Sequence, residues 1–242
     1  MSGSGSALIA VEKNGETAPL KSKTFYQQAI PSSTSSITES VSRDFFLNFV
    51  DLQNKGAWNV DSQAALIENL SAKYATSSAS MLKVGDIAVF SDLDKAKTHD
   101  FGNAVIKILT KYEPNFKTSP FDIINDAATT QTGSTTFQER LALISESYIS
   151  LSKELAKIPA PATLAATYVD VINTYFAVGI DVNNMRSYWS DPVRGLLGLT
   201  NYQKDLLHQM DLLKSIAVYL KSNAIIFNNT EDGYIWSNLL AP

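Results

Sequence analysis

Two unbroken alternations of 4 and 3 run through the second half of the chain. Phe137, Leu141, Ile144, Tyr148, Leu151, Leu155 and Ile158 form the first; Leu164, Tyr168, Val171, Tyr175, Val178, Val182, Met185 and Trp189 form the second. Apolar residues at that spacing fall on one face of a helix, because each residue turns the helix by about 100°. Pro159-Ala-Pro161 separates the two stripes, since proline lacks the N–H that a helix interior needs. Asp191-Pro192 then ends the second helix and starts a third, with aspartate as N-cap and proline at the first helical position. The third stripe is Leu199, Tyr202, Leu206, Met210, Leu213, Ala217 and Leu220. A striped helix cannot cover its own apolar face. Three in succession on short joints can cover one another, so the pattern predicts an antiparallel bundle. Each fully buried stripe residue contributes roughly 1.5–3 kcal/mol before conformational entropy is subtracted.

The first half is helical in a less regular way. Ser36-Ile-Thr-Glu39 fits a capping box, and Val41, Phe45, Phe49 and Leu52 make a stripe that ends near Gly56. A second helix is expected over about 61–74 with Ala65, Leu66 and Leu70 inward. The stretch 76–90 is ambiguous, with Asp86–Phe90 a short extended piece. Ser91-Asp-Leu-Asp94 reads as another capping box, opening a helix that carries Phe101, Val105, Ile108, Leu109 and Tyr112 and stops at Pro114. A short helix follows Ser119-Pro120. The fold class is therefore all-α: a bundle of about six to seven helices built around three long antiparallel C-terminal ones. Residues 1–36 read as a linker and flexible arm, with the linker-like MSGSG followed by Pro19, Pro31 and a Ser/Thr cluster. Residues 37–242 read as a single helical domain. Ala7–Val11 is apolar but far shorter than a bilayer span, and it suggests the last remnant of a membrane anchor lying upstream.

Composition excludes several functions. The net charge is −4 and no run of Lys and Arg offsets it, so no nucleic-acid partner is expected. The absence of cysteine removes thiolate metal sites, iron–sulfur clusters and cysteine nucleophiles. There is no Gly-x-Ser-x-Gly elbow, phosphate-binding glycine loop or His-Glu-x-x-His helix. Glu139, Glu146 and Glu154 lie off the apolar seam and read as solvated charges, and Gly195 and Gly198 read as a close helix contact. No cofactor is expected, and no catalytic residue is assigned. The candidates for a cation are Asp92, Asp94 and Asp100, crowded with His99 at one helix start, and Asp232 in NNTEDGYIW. Carboxylates at such density hold calcium or magnesium, but the same residues suit a helix N-terminus. NNTEDGYIW lacks both strong ligands of a calcium loop. It reads better as a C-cap at Asn228 or Asn229 and a turn that sends Tyr234, Ile235 and Trp236 back onto the bundle. His208 lies opposite the third stripe and reads as a surface residue. Tyr168, Tyr175, Trp189 and Tyr202 sit on the seams, as core or as the lining of an interhelical pocket.

The block IPAPATLAATYVDVINTYF, with SDPVRGLLGL, YQKDLL and SIAVYLKSNAIIF after it, resembles uncharacterised proteins of uncultured small-genome bacteria. Those proteins carry an N-terminal membrane anchor and a helical extracytoplasmic domain. The resemblance covers roughly residues 140–235 and rests on packing and capping residues, so it implies a location at the cell envelope and no activity. The expected function is a non-enzymatic extracytoplasmic interaction or structural domain with a protein partner. The alternative is a helical domain that binds a small ligand or a cation.

Overall fold

A computed structural model describes residues 36–74, 81–130 and 134–240. It is an all-α bundle. The helices are α1 (Ile37–Asn54), α2 (Val60–Tyr74), α3 (Lys95–Tyr112), α4 (Pro120–Thr130), α5 (Ser134–Leu155), α6 (Ala165–Met185), α7 (Pro192–Ser222) and a final turn, α8 (Ile235–Asn238). Two extended pairs of residues, β1 (Val89–Phe90) and β2 (Ala160–Pro161), run parallel with Val89 opposite Ala160. That contact pins the α5–α6 joint to the approach to α3; of the expected extended piece Asp86–Phe90 only Val89–Phe90 is strand, because Asp86 closes a 3-10 turn over Val84–Asp86. The arm before Ser36 and residues 76–80 of the ambiguous stretch lie outside the described residues.

The centre of the bundle is α6. Both neighbours in sequence pack along it, and 14 of its 21 residues are buried. Its predicted stripe is buried from Leu164 through Met185. The α5 stripe is buried from Phe137 to Leu155, with Ile158 half-buried just past the helix end. Trp189 departs from the prediction. The chain leaves α6 after Met185, and Trp189 sits in the following turn, 53% exposed and edge-on to Tyr188.

The stripe on α7 also departs. Met210 is exposed and Leu199, Leu206 and Leu213 are only half-buried, while the inward face runs through Gly195, Gly198, Tyr202, Leu212, Ile216 and Leu220. Asp205 and Gln209 continue that face between Tyr202 and Leu212, so the inward seam contains polar residues that an apolar pattern passes over. The pair Gly195 and Gly198 is a close helix contact as expected. A Cβ on Gly198 would lie 2.6 Å from the Asp181 carbonyl, and one on Gly195 would lie 2.5 Å from Tyr188 Cα.

Helix α7 stops earlier than the sequence suggested. It ends at Ser222, well before Asn228, and Ala224 takes the left-handed conformation at φ 55°. Ala224 N–H donates to Lys221 O and Ile225 N–H to Leu220 O, which is a Schellman ending with alanine where glycine is usual. Replacing Ala224 by Gly should raise stability by about 0.5–1 kcal/mol, because glycine carries no Cβ penalty there. Chemical denaturation measures this, and a loss of stability would contradict it.

Two N-terminal readings need correction. The N-cap of α3 is Asp94 itself, accepting from Lys97 N–H at 3.0 Å, so Ser91 does not head that helix. Helix α1 has the predicted stripe but buries none of its residues: Phe45 is exposed, and Val41, Phe49 and Leu52 are half-buried. In α2, Leu66 is buried and Leu70 half-buried, whereas Ala65 faces solvent. No helix among the described residues is long and apolar enough to cross a membrane.

Candidate functional site

Asp191 joins the start of α1 to the start of α7. As the N-cap of α7 it accepts from Arg194 N–H. The same carboxylate accepts from Ile37 N–H at 2.7 Å and Thr38 N–H at 2.9 Å, the orphan donors of the first turn of α1. Thr38 answers by accepting from Val193 N–H with its hydroxyl, at 3.2 Å. The two helix ends therefore cap each other; Ser36 is the N-cap of α1 as predicted, its hydroxyl accepting from Thr38 N–H at 3.1 Å. Burial alone would raise the Asp191 carboxyl, but the bonds from Thr38 and Ile37 outweigh it and hold it below the usual carboxylate range. A lowered carboxyl stabilises the fold above its ordinary pKa of about 3.9 and loses that contribution as pH falls through the folded value. Asp191→Ala should cost about 2 kcal/mol, one cap at each of two helices. The loss should concentrate in α1, readable as faster amide exchange there; equal effects on α1 and α5 would contradict the double cap.

What Asp191 holds in place is an apolar surface. Helix α1 displays Phe45, Phe46, Leu47 and Val50, with Phe46 62% exposed. Phe49 stacks on Phe45 and meets Trp58 edge-on at 4.7 Å, so part of the stripe is spent inside the α1–α2 hairpin. Lys73 and Tyr74 of α2 both bond Asp44, which closes the hairpin on itself.

A second unusual group lies between α6 and α7. Asp181 is 4% exposed and hydrogen-bonded to Asn201 and to the carboxyl of Asp205. A bond between two carboxyls needs one proton. Burial, reinforced by the charge of Asp205, pushes the Asp181 carboxyl up to about 8, so Asp181 keeps that proton at neutral pH. Its Oδ2 is buried without a hydrogen-bond partner among the described residues. Next along the seam, Gln209 bonds the Tyr175 hydroxyl, and Tyr148 bonds Tyr202. These tyrosines are core residues with satisfied hydroxyls, as is Tyr168, which donates to Leu155 O at 2.7 Å.

The residues singled out for a cation are each engaged separately. Asp92 accepts from the Tyr219 hydroxyl at 2.6 Å and the Thr163 hydroxyl at 2.8 Å, and these bonds hold its carboxyl low. Asp94 caps α3, and Asp100 is 82% exposed on its surface. Asp232 is exposed at the head of the turn before α8. No three carboxylates or imidazoles come together around one point among the described residues. His208 is exposed, while Glu154 is a half-buried partner of Lys111 and Tyr112 rather than a solvated charge.

NNTEDGYIW forms the predicted latch through Trp236, whereas Tyr234 and Ile235 stay exposed at 43% and 42%. Trp236 is 2% exposed and donates from Nε1 to Gly102 O at 3.0 Å, and Gly233 N–H donates to Asn103 Oδ1 at 2.7 Å. His99 belongs to this latch: its ring stacks on Phe227 at 4.8 Å and its Nε2 lies 3.1 Å from Glu231. Off-stripe position in α3 gave no hint of that docking. The sequence also gave no sign of the Asp181–Asp205 pair, although polar residues recurring at inward spacing on both helices are the signal that would reveal it. No family model, no curated protein and no solved structure matches this chain.

Proposed function

We propose that this chain is a non-enzymatic interaction domain of the cell envelope, and that α1 is its docking element. The observation that carries the reading is an 18-residue helix with no buried residue that shows Phe45, Phe46, Leu47 and Val50 to solvent. Apolar residues clustered on a surface helix are what a partner covers, in the manner of a helix laid into a groove. Asp191 supports the same reading, because it fixes α1 through its N-terminus and leaves the apolar face free. Placement outside the cytoplasm rests on the resemblance carried by residues 140–235.

A photoreactive phenylalanine at position 46, expressed in the native cells, should give a discrete adduct on irradiation. The same group at Asp100, an exposed position remote in sequence from α1, serves as the reference. A discrete adduct at 46 that is absent at 100 supports the docking face. The same smear from both positions, or adducts to neither, counts against it.

A further inference from the structure

Between the end of α7 and the latch lies a half-open cavity of about 390 Å³, lined on its apolar side by Leu220, Ile225, Phe227, Trp236 and Leu240. That volume is within the range of small-molecule sites. At roughly 30 Å³ for a water-sized group, it holds an aliphatic chain of about a dozen such units. Ile226 also lines it and is 81% exposed, so an apolar wall of the cavity lacks cover among the described residues.

Among the described residues, one cation and no acid lines this space. Lys221 and Ser237 are its polar-bearing lining side chains, and Lys221 makes no ion pair or hydrogen bond among the described residues. A lysine in the last turn of a helix ordinarily serves the negative end of the helix dipole. Here that end is already served. Ala224 and Ile225 N–H groups take the Lys221 and Leu220 carbonyls, and Lys95 Nζ donates to Asn223 O at 2.9 Å. The Lys221 charge is therefore surplus to the helix ending and sits beside an apolar hole.

We propose that this cavity binds a monomeric aliphatic carboxylate, with the chain against Leu220, Ile225 and Trp236 and the carboxylate on Lys221. The proposal is independent of the docking face on α1. Trp236 supplies the readout in a Trp58→Phe/Trp189→Phe protein, where it is the sole indole. Dodecanoate is the probe, and its titration should change Trp236 emission saturably. Lys221→Met should weaken dodecanoate about tenfold, the order of one charge-assisted hydrogen bond, and leave dodecanol within about twofold. Ile226→Ser, at an exposed position where folding is not at stake, should weaken both ligands by several-fold. Dodecyltrimethylammonium should bind more weakly than either. Phosphatidylglycerol vesicles should neither sediment the protein nor displace dodecanoate.

An unchanged dodecanoate affinity in Lys221→Met, or no saturable change in Trp236 emission, would overturn the site. Sedimentation with the vesicles would also overturn it, by making a lipid surface the ligand.

Discussion

Asp181→Asn should make the protein more stable, and by more as the pH rises. The folded-state carboxyl is pushed up to about 8, whereas an unfolded aspartate titrates near 3.9. Between those values the native state holds one more proton than the unfolded state, so the parent loses stability as pH rises through that window. An asparagine imitates the protonated acid: its amide donates to Asp205 and its carbonyl accepts from Asn201. At pH 9 the variant should exceed the parent by on the order of 2–4 kcal/mol, at about 1.4 kcal/mol per pKa unit discounted for relaxation of the interface. At pH 4 the two should melt together. Thermal melts at both values test it, and a variant that tracks the parent at pH 9 would show that Asp181 does not keep its proton.

Trp236→Ala should be the most damaging single truncation in the C-terminal third. Its side chain is almost fully buried and its indole N–H is bonded to Gly102 O, so removal leaves a cavity and forfeits that hydrogen bond. The expected loss is about 3–5 kcal/mol. Gly102 and Gly233 make the docking tight: a Cβ on either would fall within 2.4 Å of the Phe227 ring. Trp189→Ala is the matched contrast, because Trp189 is half-exposed in a turn and should cost under about 0.5 kcal/mol. Denaturant midpoints of the two variants separate the roles. Equal losses would mean that the latch does not hold the end of the chain on α3.

The seams of α5 and α6 were legible because their apolar residues keep the 4-and-3 spacing unbroken, even with Ser145, Ser152, Thr174 and Asp181 buried beside them. On α7 the inward face passes through Asp205 and Gln209, and reading only apolar residues rotated the stripe toward Met210. The case of α1 is different. Its stripe is real, but a stripe shows which face is apolar and cannot show whether anything covers it. Asp191 was legible as a cap for the helix that follows it; its service to α1, 153 residues away at Thr38, was not. The α7 ending was misplaced for a physical reason too. Asparagine and glycine announce a left-handed residue, and alanine at 224 announces nothing. Among the acids near Ser91, a helix start was readable but the capping-box pattern puts its cap at Ser91 rather than Asp94, while the bonds of Asp92 to Thr163 and Tyr219 depend on how the bundle folds.

The account turns on a division between a bundle centred on a buried α6 and a helix α1 that is capped in place yet leaves Phe45, Phe46, Leu47 and Val50 exposed. Amide hydrogen exchange of the purified protein, followed helix by helix, measures that division directly. The account predicts that α6 amides exchange only through global unfolding and that α1 amides exchange through a local opening, far faster and independent of global stability. Protection of α1 equal to that of α6 would mean that α1 belongs to the core, and it would remove the basis for α1 as a docking element.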